Sequence, residues 1–166
     1  MKKLWITLLL VAIGATTLFA QEKSPKAKIQ DRLTYMKEHL TVNEKVSANF
    51  WKTYEQYLKG EMAIMDTYRK NLDKQGIKLG TPGTNKDIIE KLSDKQLSYL
   101  QDQKFELRKK MLDLEYSYYK KFKTMLPPQT LQKLYNTEYK YKKTLTTQKK
   151  DDKKKEEPVN TGKKKR

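Results

Sequence analysis

The chain has 166 residues and carries 37 Lys and Arg against 20 Asp and Glu, a formal net charge of +17, with one histidine and no cysteine. Without cysteine it holds no disulfide, no thiolate zinc site, no cysteine nucleophile and no lipid-modified cysteine, and a single histidine leaves little for acid–base chemistry. A chain of this length fits one domain with a modest core.

At the N-terminus, Lys2 and Lys3 precede the apolar run LWITLLLVAIGA, and TTLFA ends on a small residue before Gln21. Residues 1–20 are therefore predicted to be a cleavable signal peptide, its apolar run too short for a comfortable membrane span, and the protein is placed in the periplasm. Residues 21–148 form the predicted helical domain. Residues 149–166, KKDDKKKEEPVNTGKKKR, hold nine basic and four acidic residues and no apolar residue except Val159, and are predicted to be a disordered Lys-rich tail. Export turns the positive charge away from nucleic acid. It points instead to lipid headgroups, lipopolysaccharide phosphates and acidic unfolded polypeptides.

Ile29, Leu33, Met36 and Leu40 lie four, three and four residues apart, so 26–39 is predicted to be a short amphipathic helix. Thr41 with Glu44 reads as a capping box that opens a long helix, whose buried face is Val46, Phe50, Tyr54, Tyr57, Leu58, Met65, Tyr68 and Leu72. Gly76, Gly80, Pro82 and Gly83 then break the pattern and make a surface connection, with a turn of helix over 84–91.

The stretch 92–126 is predicted to be the longest helix, a rod of roughly 45 Å that needs equally long partners. Ser93 and Gln96 form its capping box, with Leu92 and Leu97 as a hydrophobic staple. Leu97, Leu100, Leu107, Met111, Leu114, Tyr118, Phe122 and Met125 make one apolar seam, interrupted by Lys104. Phe105, Leu112, Tyr116 and Tyr119 cluster roughly 120° away from it. That second face asks for a further helix of the chain, a second copy or a client polypeptide. After Pro127 and Pro128, the latter favourable at a first helical position, Leu131, Leu134, Tyr135, Tyr141 and Leu145 mark a short last helix. The expected fold is all-α, with four helices: two long antiparallel ones in an extended hairpin, and shorter first and last helices packed at their ends.

Catalytic chemistry finds little support. The acids sit at caps or among lysines and read as solvated, no glycine-rich phosphate loop or HExxH motif is present, and the chain is read as a non-enzyme without a cofactor. Met36 with His39, and Met62 with Met65, would share helical faces, which allows a weak soft-metal hypothesis for copper(I) or silver beside the plainer role of core filling. Eleven tyrosines are more than one narrow seam absorbs. Their large apolar bodies and polar tips suit a half-exposed, basic, aromatic binding surface.

The phrase LTVNEKVSANFWKTYEQY, followed after the Gly/Pro connection by LSDKQ and then by RKKMLDLEYSYYKKFKTMLPPQTLQKLY, resembles the Spy/CpxP superfamily of periplasmic LTxxQ proteins. It is particularly similar to the Bacteroidetes branch labelled "sensor of ECF-type sigma factor" or periplasmic heavy-metal-sensor-like. Leu40, Thr41 and Glu44 match the first motif with Glu for Gln, and Leu92, Ser93 and Gln96 form a similar unit. Before the last helix this chain has Leu126-Pro127-Pro128-Gln129 where the family repeats the motif. The resemblance implies an all-helical cradle, an antiparallel homodimer that holds unfolded or misfolded envelope protein without ATP, and regulation of a membrane anti-sigma or sensor protein. The histidines and cysteines of the metal-binding relatives are missing here. Two other readings stay open: a metal-responsive sensor built on Met36, His39, Met62 and Met65, and a structural envelope protein whose lysine tail rests on anionic lipid or lipopolysaccharide.

Overall fold

The computed structural model of the protein describes residues 24–80 and 85–156, the last of these from 148 onward as backbone. The segment 1–20 and the end of the tail lie outside the described residues. Five helices and no strand occur among the described residues: α1 (Pro25–His39), α2 (Glu44–Lys74), α3 (Lys86–Ile89), α4 (Asp94–Met125) and α5 (Pro128–Glu156). The all-helical class is as expected. The helix beyond the expected four is α3, at the single turn expected over 84–91.

Helices α2 and α4, of 31 and 32 residues, are each about 47 Å long at 1.5 Å per residue. They run antiparallel. Phe50 meets Phe122 with ring centroids 5.5 Å apart, Tyr57 meets Tyr118 at 5.5 Å, and Asn71 donates to Gln103 at 3.0 Å, so residue numbers rise on one helix as they fall on the other. The turn between them starts with a Schellman cap: Ile77 N–H donates to Leu72 O at 3.0 Å, Gly76 N–H to Asp73 O at 2.9 Å, and Gly76 takes φ +69°. Leu72 and Ile77 then pack together, which fixes the direction of the exit.

Two clusters hold the fold. At one end Leu33, Met36, Phe50, Tyr54, Leu58 and Phe122 bury each other with Leu126, Leu131 and Leu134, so four helices meet there. At the other, Leu72, Ile77 and Leu100 are covered by Tyr68, Leu79, Ile89, Leu92 and Tyr99. Between them no side chain of α2 from Lys59 to Asn71, or of α4 from Gln101 to Lys121, is fully buried. Two helices alone shield one another along a single line, and Leu107, Met111 and Leu114 stay half-buried for want of a third. Of the expected seam, only Leu100 and Phe122 are fully buried, and Leu97 is exposed.

Two local expectations need correction. Helix α2 is capped by Asn43, whose Oδ1 accepts from Lys45 N–H at 2.9 Å, and not by a Thr41/Glu44 box. Asn is the stronger N-cap, and Asn43 stands immediately before the first helical residue, Glu44. The last helix is long: α5 has 29 residues and continues past Lys149 to Glu156. Lys, Glu and Gln are good helix formers, and no Gly or Pro intervenes before Pro158, so apolar periodicity underestimated its length. Helices α1 and α5 both pack at the end of the hairpin where α2 begins and α4 finishes.

Candidate functional site

The second face of α4 is largely open. Phe105 is 57 % exposed, Leu112 65 % and Tyr116 58 %, while Tyr119 is half-buried against the large cluster and stacks on Tyr116 at 6.4 Å. Cations accompany the rings: the Arg108 guanidinium lies 5.7 Å from the Phe105 centroid and Lys120 Nζ 4.3 Å from that of Tyr116. At about 100° per residue, Arg108, Lys109 and Lys123 fall within roughly 50° of the centre of this stripe, Lys120 and Glu115 stand about 70° to either side of it, and Asp113 and Glu106 lie about 90° or more away. The stripe is therefore both apolar and positive along its length.

At its C-terminal end the stripe runs into a cleft of about 310 Å³ between α4 and α5, lined by Tyr119, Lys123, Leu126, Leu131, Gln132 and Tyr135. The turn that brings the helices together is Leu126, whose N–H donates to Phe122 O at 2.8 Å, followed by two prolines. Tyr139, 70 % exposed, follows Tyr135 by one helical turn and so shares its face of α5. Burial, the Glu115 charge and Tyr119 raise the pKa of the Tyr135 phenol, so its hydroxyl stays protonated and uncharged at neutral pH.

Behind the stripe lies a charge network that links three helices. Arg32 of α1 donates through Nε to Glu138 Oε1 at 3.1 Å, through a terminal nitrogen to Glu138 Oε2, and through the other to Glu61 Oε2 at 2.5 Å. The Tyr54 hydroxyl donates to Glu138, and the Tyr57 hydroxyl to Glu61 at 2.7 Å. Burial opposes the Arg32 charge, but Glu138 and Glu61 outweigh it and raise the guanidinium pKa. Burial, followed by the Glu61 charge and hydrogen bond, raises that of the Tyr57 phenol. The cavity beside the network is about 30 Å³, the scale of one water molecule. Its geometry is that of a structural tie.

The acids read from the sequence as solvated include Glu61 and Glu138, whose side chains are only 15 % and 9 % exposed. The available signal was positional: Glu61 follows Tyr57 by four and Leu58 by three, and Glu138 follows Leu134 by four, so both occupy seam positions. A carboxylate on an apolar seam needs a buried cation, and Arg32, one residue before Leu33, supplies it.

The remaining candidates are placed as follows. Ser93 and Gln96 form the capping box: Gln96 N–H donates to Ser93 Oγ at 3.4 Å and Ser93 N–H to Gln96 Oε1 at 3.1 Å, while Leu92 lies in the smaller cluster and Leu97, its expected staple partner, is exposed. Gln96 Nε2 also donates to Gln75 O at 3.0 Å, tying the start of α4 to the end of α2. Leu40 is buried as the C-cap of α1, while Thr41 is exposed. Met36 is wholly buried, His39 is exposed and stacked on Tyr35, and Met62 and Met65 are half-buried on α2. Lys37 lies over the Trp51 ring, which sets the last turn of α1, with Met36 and His39, level with that part of α2. Met62, eleven residues further along, is then about 16 Å away. The two Met/His pairs are not brought together. Among the described residues no group of three or more His, Asp or Glu is arranged to hold a metal ion, and no helix is long and apolar enough to cross a membrane.

Fold and surface together define an extended helical hairpin, braced at one end and carrying an open aromatic, cationic stripe. No family model, curated protein or solved structure matches the chain.

Proposed function

We propose that the protein is a periplasmic envelope-stress protein that binds unfolded or misfolded polypeptide without ATP, works as a homodimer, and reports the load to an ECF sigma/anti-sigma pathway. The observation that carries this reading is the stripe of Phe105, Leu112 and Tyr116, three large side chains more than half exposed on one helix. Scattered exposed apolar residues need no explanation, but a continuous row of them on a folded surface marks an interaction site. Its cations favour partners that are acidic as well as apolar. Rings with polar tips accept many apolar sequences without demanding one shape. The resemblance to the Spy/CpxP superfamily and the signal-like residues 1–20 support the compartment and the stress role, and tyrosine-rich helices suit a holding function better than a reaction.

The test is aggregation of a chemically unfolded client diluted into buffer without nucleotide. Purified full-length protein is expected to suppress light scattering at a few-fold molar excess, with sedimentation reporting a dimer. Scattering unchanged at every ratio sinks the binding function, and a monomer at all concentrations sinks the assembly.

A further inference from the structure

We infer that the cleft between α4 and α5 is an anchor site for one aromatic side chain of a bound polypeptide, with acidic residues on either side of that anchor held by the α4 cations. This rests on the reading of the protein as a polypeptide binder and adds a sequence preference to it.

Three observations lead there. The cleft is continuous with the stripe, because Tyr119 and Lys123 belong to both. Its volume of about 310 Å³ lies at the lower end of the range of ligand pockets, enough for one large side chain and too small for a folded element. Two tyrosines, two leucines and Pro128 line it together with Lys123 and Gln132, and Leu126 and Leu131 are buried in the large cluster, so an entering ring meets apolar surface already in place. Aromatic anchors in such pockets dominate protein interfaces.

Charge supplies the rest of the specificity. Lys123 stands at the cleft and Lys120 one turn before it, with Arg108 and Lys109 further along the same side of α4. Between Phe105 and Lys123 the carboxylates of α4 flank this line rather than stand on it, and of them Glu115 reaches the cleft wall, where its charge acts on the Tyr135 phenol. An extended segment with its ring in the cleft lays its neighbours along these cations, so Asp or Glu beside the ring is favoured and Lys or Arg repelled.

The experiment uses the full-length protein and short, unstructured, fluorescein-labelled peptides read by anisotropy: Trp flanked by Asp, Ala flanked by Asp, and Trp flanked by Lys. The acid-flanked Trp peptide is expected to bind about tenfold more tightly than its Ala counterpart. It should also exceed the Lys-flanked peptide by at least about tenfold at low salt, a margin that shrinks as salt rises. Gln132→Trp, on an exposed position at the cleft, should fill it and abolish the preference for Trp over Ala. Lys123→Glu should reverse the preference for Asp over Lys flanks, and circular dichroism melts establish that both variants fold. A protein that holds denatured clients yet binds Trp and Ala peptides alike overturns the anchor site while leaving the polypeptide-binding function. Failure in both assays overturns the two together. Sedimentation in which Gln132→Trp turns a dimer into a monomer, with no peptide bound by the parent protein, shows the cleft to be a contact between copies and overturns the inference.

Discussion

Arg32 and Glu138, 106 residues apart in sequence, meet through two nitrogens and two oxygens, and that contact fastens the first helix to the last. Helix α1 has only Leu33 and Met36 fully buried along its length, so apolar packing alone holds it lightly. The second carboxylate, Glu61, ties the same guanidinium to α2. Replacing Arg32 by Met strands two carboxylates, each with a side chain at most 15 % exposed, near a cluster of rings. The expected loss is about 3 kcal/mol in urea unfolding, since breaking a buried pair costs far more than the pair itself contributes. Glu138→Gln, which keeps the shape and some hydrogen bonds, is expected to lose about half as much. An Arg32→Met variant within roughly 0.5 kcal/mol of the parent sinks the bracing role.

High pH should loosen both ends of the molecule, through Tyr57 and Tyr135 in the large cluster and Tyr68 in the smaller one. The Tyr57 phenol has its pKa raised from 10.0 by burial and by Glu61, and Tyr68 and Tyr135 are raised too, chiefly by burial. A raised folded pKa means that the folded state keeps its proton where the unfolded state releases it. The corresponding stability is complete below pH 10 and declines as pH rises above that value toward the folded pKa. Tm measured from pH 8 to 11 is therefore expected to bend downward near pH 10. Tyr57→Phe should show a shallower decline there, after an initial loss of about 1 kcal/mol at neutral pH for the hydrogen bond to Glu61. Equal slopes in parent and variant remove Tyr57 from the account.

Midway along the hairpin, Gly60 lets α2 and α4 approach: a Cβ there would stand 2.9 Å from Leu114 Cδ1 and 3.2 Å from Cδ2. The residue in the way is the tip of a flexible, half-buried side chain. Gly60→Ala should gain about 1 kcal/mol of helix propensity and give most of it back in displacing Leu114. In a Leu114→Ala background the obstacle is gone, and the same substitution should stabilise by about 1 kcal/mol. Thermal melts of the four proteins in this cycle measure the coupling, and additivity would show that the close approach has no energetic weight.

Helix boundaries separate what the sequence made legible from what it did not. The Ser93 and Gln96 box was readable because both partners are local, and Ser93→Ala should cost about 1 kcal/mol. Thr41 and Glu44 have the same spacing, but Asn43 stands between them and takes the cap, so Asn43→Ala should cost about 1 kcal/mol and Thr41→Ala less than about 0.5. Denaturant unfolding of the three variants decides it. Periodicity exposed the long helices and the spare face of α4, because both are properties of one helix at a time. It could not place Arg32 opposite Glu138, because that contact depends on where α5 crosses α1. Nor could it show that the hairpin is bare in the middle, since an apolar seam looks the same whether one partner covers it or two.

The stripe on α4 carries the clearest separation of function from stability. Leu112 and Tyr116 are mostly exposed, so they contribute little to the fold, and Gln has nearly the helix propensity of Leu. Leu112→Gln with Tyr116→Gln should leave the unfolding free energy within about 0.5 kcal/mol of the parent. The same pair removes the largest apolar side chains from the centre of the stripe, and should raise several-fold the amount of protein needed to suppress client aggregation. Phe50→Ala gives the opposite pattern, because Phe50 is fully buried among Trp51, Tyr54 and Phe122: about 4 kcal/mol of stability lost with the stripe untouched. Client holding unaffected by the double Gln variant would move the binding surface off α4. A loss of holding that tracked stability across both variants would mean that the stripe has no role of its own.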